Sequence, residues 1–254
     1  MSSKYGVVEI FPTLQGEGLL AGRACVFLRL SGCNQWNGRP EDRAKGSGAC
    51  AMWCDTNFAK GDSQDLAEVL TRLEANWQQG GAGDLGRMVV ISGGEPTLQL
   101  DLALAKALKH EGWFTSIETN GTNQCEALDI IDHVCVSPKR GSTLVVWRAE
   151  ELKVVLPGGV PAAPPEHQWS DGELLGLADQ GDWGHLFVQP QDVTDPTTVE
   201  LTALTHGRSI KNHSLGSGVA GQIYSANVNL CVDFVRRNPR WRLSLQQHKY
   251  IGVR

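Results

Sequence analysis

Met88-Val89-Val90-Ile91-Ser92-Gly93-Gly94-Glu95-Pro96 reads as a short apolar strand that runs straight into a glycine pair, a carboxylate and a proline. The two glycines let backbone approach a ligand closely, and the proline closes the turn. Working outward, strand-like apolar runs recur at Ala24 to Leu30, Phe114 to Glu118, Val134 to Val136, Leu152 to Leu156, Leu186 to Val188 and Leu243 to Leu245. Between them the period changes. After Asp62, taken as the cap, Leu66, Val69, Leu70, Leu73 and Trp77 fall on one stripe of a helix, and Leu100 to His110 forms a second, more apolar one. Strand, helix and strand in repetition predict an α/β fold of βαβ units on a parallel sheet, with the site in the loops at the strand C-termini.

The chain has 254 residues, 41% hydrophobic and 20% charged, which is enough for a substantial core in one domain spanning 1–254. Two segments interrupt the pattern: residues 34–49, a polar, glycine-rich insertion too irregular for an element, and about 157–184, rich in proline and glycine and expected as a surface excursion. A net charge of -5 argues against direct nucleic-acid or anionic-membrane binding and favours a small-molecule substrate. The opening Met1-Ser2-Ser3-Lys4-Tyr5-Gly6 lacks the apolar core of a signal peptide and no run is long enough to span a bilayer, so a cytoplasmic location is expected.

Of seven cysteines, Cys25, Cys125, Cys135 and Cys231 are scattered among apolar neighbours and read as small hydrophobes. Cys33, Cys50 and Cys54 cluster, and the last opens Cys54-Asp55-Thr56. Three thiolates on a cubane iron-sulfur cluster leave one iron open to another ligand. The same three could belong to a structural zinc site, which needs a fourth ligand from elsewhere in the chain. Each remaining motif also sits at a strand end: Glu118-Thr119-Asn120-Gly121 after Phe114 to Glu118, and Ser137-Pro138-Lys139 after Val134 to Val136.

In this order of motifs the chain resembles the radical S-adenosylmethionine (SAM) superfamily, in which a three-cysteine cluster loop follows the first barrel strand and a Gly-Gly-Glu-Pro the second. Within it, the resemblance narrows to the 7-carboxy-7-deazaguanine synthase family. It is carried by Phe11-Pro12-Thr13-Leu14-Gln15-Gly16-Glu17-Gly18, by Arg29 in Leu28-Arg29-Leu30-Ser31-Gly32-Cys33, by Cys54-Asp55-Thr56 and by Leu245-Gln246-Gln247-His248-Lys249-Tyr250-Ile251-Gly252. Here Asn34 to Ala49 and Ala51 to Trp53 separate the three cysteines, whereas the family usually spaces them by three residues and then two, with a longer first gap in some members. Ser92 stands where threonine is common and keeps the hydroxyl.

The resemblance implies an incomplete radical-SAM-type βα barrel that converts 6-carboxy-5,6,7,8-tetrahydropterin to 7-carboxy-7-deazaguanine with loss of ammonia, on the route to queuosine and other 7-deazapurines. Its cofactors would be a 4Fe-4S cluster on Cys33, Cys50 and Cys54, SAM, and a magnesium ion on Thr56. Leu14, Gln15, Gly16, Glu17, Arg29, Ser92, His248 and the Arg254 terminal carboxylate would contact the pterin. Gly93, Gly94, Glu95, Glu118, Ser137, Pro138, Lys139, Gln189, Pro190, Gln191 and Asp192 would contact SAM. No side chain is given a catalytic role, since the SAM-derived 5'-deoxyadenosyl radical does that work. A reductant protein such as a flavodoxin or ferredoxin and a homodimeric state are implied as well. The residues agree with a pterin: a flat edge of donors and acceptors plus an acid calls for a Glu or Gln and an Arg fork. Other readings remain open at this level, namely another radical SAM enzyme such as a glycyl-radical activase, or a non-catalytic iron-sulfur or zinc protein. Taken singly, His248, Thr56 and Lys139 read equally well as a satisfied histidine, a capping hydroxyl and a surface lysine.

Overall fold

The computed structural model describes residues 4–47, 49–52, 54–81, 83, 86–157, 168–192 and 219–253. Among the described residues nine strands form one sheet: β1 (Lys4–Leu14), β2 (Ala24–Leu30), β3 (Asp62–Asp65), β4 (Met88–Gly93), β5 (Phe114–Thr119), β6 (His133–Val136), β7 (Arg148–Leu156), β8 (Asp182–Pro190) and β9 (Trp241–Leu243). Their spatial order is β3-β1-β2-β4-β5-β6-β7-β8-β9. β1 is antiparallel to both its neighbours, and every pairing from β2 to β9 is parallel. The helices are α1 (Leu66–Gln79), α2 (Leu102–His110), α3 (Asp171–Gln180), α4 (Val219–Arg237) and the short α5 (Gln247–Ile251).

Side chains alternate across each strand, and the two faces of this sheet differ in chemistry. One face carries Val26, Leu28, Leu30, Val89, Ile91, Ile117, Leu152, Val154 and Val188 against the helices, which contribute Val69, Leu73 and Trp77 from α1, Leu104 and Leu108 from α2, Leu174 from α3, and Phe234 from α4. The other face begins apolar, with Cys25, Met88 and Val90 packed by Leu20, Phe27 and Phe114. Across β5 to β8 it becomes polar, with Ser116, His133, Glu151, Lys153 and Gln189 all buried. The segment after β1 crosses this face: the Gly18 N–H donates to Ser244 Oγ (2.9 Å) and the Leu19 N–H to Glu151 Oε2 (2.9 Å).

Five expectations from the sequence are corrected. The cap of α1 is Asp65, not Asp62; its side chain accepts from the Glu68 N–H while Glu68 answers the Asp65 N–H, and Asp62–Asp65 is strand β3. The second helix starts at Leu102, where Asp101 caps it, because Leu100 belongs to the preceding turn. β1 was not expected, since its motif read as a binding segment; Pro12 is tolerated there because β3 pairs only with Lys4 to Val7, leaving no further strand beside it. Within 157–184 the described part is not a surface excursion: Ser170 caps α3, Leu174 and Ala178 are buried, and β8 begins at Asp182. Residues 158–167 lie outside the described residues. The insertion at 34–49, expected to lack elements, forms the 3-10 turn Pro40–Lys45 and begins a second, Ala49–Met52.

Candidate functional site

A cavity opens at the C-terminal ends of the parallel strands. Cys33, Cys50, Cys54 and Thr56 form one wall, and Ser92, Gly93 and Gly94 at the end of β4 form the next. Glu118 from β5, Ser137, Pro138 and Lys139 after β6, and Gln189, Pro190, Gln191 and Asp192 at the end of β8 complete it, with Glu17 reaching in from the segment after β1. The structure thus brings together residues drawn from both ends of the chain.

The cysteine loop has its own small apolar core of Trp36, Ala51 and Phe58, against which Cys33 and Cys54 pack. Trp36 meets Phe58 edge-on, with ring centroids 5.6 Å apart. Arg43 lies over the Trp36 ring at 4.7 Å and donates to the carbonyls of Ala51 (2.8 Å) and Cys54 (3.0 Å), so one guanidinium holds both sides of the loop. Burial pushes all three thiols up, Cys50 to about 12, and each would have to give up its proton to ligate iron. Among the described residues no three His, Cys, Asp or Glu side chains converge as a single-ion site does.

The glycine pair packs directly on this loop. The Glu95 N–H donates to Gly32 O (2.9 Å), and a Cβ on Gly94 would lie 2.3 Å from that same oxygen and 2.7 Å from Cys33 Cβ. Only glycine lets the two backbones come this close. A donor set of three thiols around a cavity, with bare backbone at its edge, fits a site-differentiated cluster whose extra ligand reaches that backbone.

Two of the expected contact residues lie away from the cavity lining. Glu95 does not face the cavity. It is fully buried, its Oε1 accepting from the Thr97 N–H (3.1 Å), Thr97 Oγ1 (2.7 Å) and Thr119 Oγ1 (2.7 Å), and its Oε2 from the Asn120 N–H (2.7 Å). A carboxylate so occupied ties the ends of β4 and β5 together. Leu14 pairs with Ala24 at the start of β2, at the opposite end of that strand from Cys33, and does not line the cavity.

Of the other expected pterin residues, Gln15, Gly16, Arg29 and His248 also lie outside the cavity lining. Gln15 donates to Glu118 Oε1 (3.2 Å), and Gly16 is covered by the His248 ring, which a Cβ there would meet at 2.0 Å. Arg29 pairs with Glu9 (2.7 Å) and sits beside Ser92 in the β2–β4 register. Burial holds the His248 imidazole below its ordinary value against the opposing pull of Glu17. Lys249 bridges Asp55 (3.1 Å) and Asp192 (2.9 Å), fastening α5 to the cysteine loop. Arg254 lies outside the described residues.

Sequence reasoning missed Lys153. It lies in the apolar run Leu152 to Leu156, on the opposite face to Leu152 and Val154, and its side chain is 3% exposed. Its Nζ donates to Glu17 Oε2 (2.7 Å) and Glu118 Oε2 (2.8 Å), while Gln246 Nε2 donates to Glu17 Oε1 (2.9 Å). Burial alone would raise the Glu17 carboxyl; the charge and hydrogen bond of Lys153 override it and hold it at about 2. Burial likewise pulls on the Lys153 ammonium, which the anionic groups around it, Cys135 when ionised and the carboxylates of Glu118, Glu17 and Glu151, keep well above the ordinary lysine value. A lone lysine inside a strand-like apolar run was the available signal.

No family model matches the chain. It is 37% identical to the 7-carboxy-7-deazaguanine synthase of Burkholderia multivorans, over 98% of this chain and 99% of that protein. It is 39% identical to the protein of that name from Bordetella pertussis over the same shares, and also 39% identical to that from Bradyrhizobium diazoefficiens. Among solved structures it is similar to QueE from Escherichia coli, with a TM-score of 0.60 and 25% identity over 96% of this chain and 95% of that one. This chain belongs to the 7-carboxy-7-deazaguanine synthase family, radical SAM lyases of queuosine biosynthesis whose chemistry runs on a 4Fe-4S cluster, SAM and magnesium.

Proposed function

We propose that the sheet is the partial βα barrel of the radical SAM superfamily, that residues 1–254 act as one domain, and that the cavity holds cluster, cofactor and pterin side by side. Cys33, Cys50 and Cys54 would hold the 4Fe-4S cluster and Thr56 the magnesium ion, one hydroxyl suiting an ion that keeps most of its shell as water and substrate oxygens. Gly93, Gly94, Glu118, Ser137 to Lys139 and Gln189 to Asp192 would receive SAM. Gln15, Gly16, Glu17, Arg29, Ser92 and His248 would receive 6-carboxy-5,6,7,8-tetrahydropterin. The observation that carries this reading is the contact of Gly94 with Gly32 and Cys33, which sets the glycine edge against the cluster loop.

When bound, the cluster and SAM supply the one-electron, hydrogen-abstracting chemistry of the reaction. The protein's own residues hold and shield. Glu17, an acceptor-only carboxylate at neutral pH, faces the N–H donors of the pterin ring, and Lys153 and Gln246 fix its two oxygens. Trp36, Phe58, Pro138, Trp169 and Pro190 give the cavity apolar walls, which exclude the water that a reactive species would otherwise meet. Lys139, hydrogen-bonded to Ser137 Oγ (2.8 Å), places a cation at the rim, suited to a ligand carboxylate.

Family resemblance, and no particular residue, supports a flavodoxin or ferredoxin as reductant, a homodimer and a cytoplasmic setting. No helix among the described residues is long and apolar enough to cross a membrane. The test is anaerobic reconstitution followed by addition of SAM, reductant and 6-carboxytetrahydropterin, with and without magnesium. Release of 7-carboxy-7-deazaguanine is expected. SAM cleavage without that product would favour another radical SAM activity such as glycyl-radical activation, and no SAM cleavage a non-catalytic iron-sulfur or zinc protein.

A further inference from the structure

We propose that Lys153 is a positioning residue for the reaction, a single buried ammonium that locks Glu17 on the pterin side and Glu118 on the SAM side into one geometry. The inference rests on the assignment of those two carboxylates made above. Its ground is the fork of 2.7 and 2.8 Å from one nitrogen to two side chains that approach from opposite ends of the chain. Because both carboxylate oxygens lie against that nitrogen, without it they would face one another as partly buried like charges. Gln15 repeats the connection, its Nε2 on Glu118 and its Oε1 accepting the Glu17 N–H (3.2 Å). Lys153 meets neither the thiols nor Thr56 in any hydrogen bond or ion pair among the described residues, so its role is separable from cluster assembly.

The charged and titratable groups around Glu17 are Lys153 and Glu151 of β7, Glu118 of β5, Cys135 of β6 and His248 of α5. Lys153 is the permanent cation among them. Removing it leaves burial unopposed except by Gln246 and a half-buried histidine, so the Glu17 carboxyl must rise and take up a proton more readily. Protonated, Glu17 is no longer an acceptor-only partner for the pterin ring.

The experiment uses cluster-loaded, SAM-bound protein without reductant, in which the pterin binds but does not turn over. Its Kd is measured anaerobically for wild type, K153M and the polar neutral K153Q from pH 8 to pH 6. Each neutral variant is expected to bind at least about tenfold more weakly at pH 8, with the ratio of variant to wild-type Kd growing further, up to about tenfold per pH unit, as pH falls. A merely structural role would weaken binding by the same factor at every pH. If K153M does not fold, K153Q carries the measurement, and thermal unfolding reports folding for both. A variant-to-wild-type ratio that stays flat with pH overturns the inference. Wild type that does not bind the pterin at all overturns instead the functional assignment beneath it.

Discussion

Replacing Glu95 by glutamine separates a structural from a ligand-binding role for the Gly-Gly-Glu-Pro carboxylate. All four of its hydrogen-bond partners are donors. Two are backbone N–H groups and two are hydroxyls, which donate to the acceptor-only carboxylate while Thr119 Oγ1 also accepts from the Gly121 N–H (3.1 Å) and Thr97 Oγ1 from Asn123 Nδ2 (3.3 Å). In E95Q one oxygen becomes an NH2. Whichever it is, a buried backbone N–H, that of Thr97 or of Asn120, is left facing another donor. An orphaned buried donor costs about 1–3 kcal/mol, and the other bonds lose the extra strength that a charged acceptor provides. The total is about 3–4 kcal/mol, which for a chain of this length lowers Tm by about 10 °C. Circular dichroism melts of cluster-free E95Q and wild type measure it, with calorimetric SAM binding to the loaded proteins alongside. An unchanged melt combined with a large loss of SAM affinity would refute the reasoning and return Glu95 to the cavity.

G94A should be well folded yet load less iron and bind SAM at least about tenfold more weakly, since its Cβ must displace Gly32 O or Cys33; iron content and calorimetry check it. R43A should remove about 3 kcal/mol of local stability from the cysteine loop, the sum of two charge-assisted bonds and the Trp36 contact, and should be seen as faster loss of the cluster chromophore to a chelator. Glu17 has its folded carboxyl near 2 against an ordinary 4.5, so its contribution to stability is present above pH 4.5 and is lost as pH falls toward 2. E17Q should accordingly flatten the acid limb of a plot of Tm against pH in that window while leaving the neutral limb parallel to wild type.

The βα succession was legible because its strands are buried on the helix side, and burial writes itself as apolar runs; Ala24 to Leu30 is the observed β2 at both ends. β1 was hidden by Pro12, which sequence rules demote within a strand, and only the absence of a further neighbour at that position explains it. The α1 cap was misplaced by three residues because Asp62 and Asp65 are equally good caps locally, and pairing of β3 with β1 decides between them. At the site, the cysteines and glycines could be found because their chemistry needs fixed residue types. Lys153 could not be assigned, since its meaning comes from Glu17 and Glu118, which only the folded sheet brings to it. Glu95 shows the reverse: its motif gives no sign of the four donors that its side chain meets in the fold.

The segment after β1 and the segment after β9 hold one another, through Gly18 and Ser244, 226 positions apart, and through Gln247, whose N–H donates to Gly16 O (2.9 Å). The sheet and the iron loop need neither contact. The proposed pterin side of the site is therefore the part of this fold that closes across the greatest sequence distance, and the part a single cut near the tail would undo. A brown preparation that melts at its proper temperature could still be inert, so counting iron atoms does not count working enzymes.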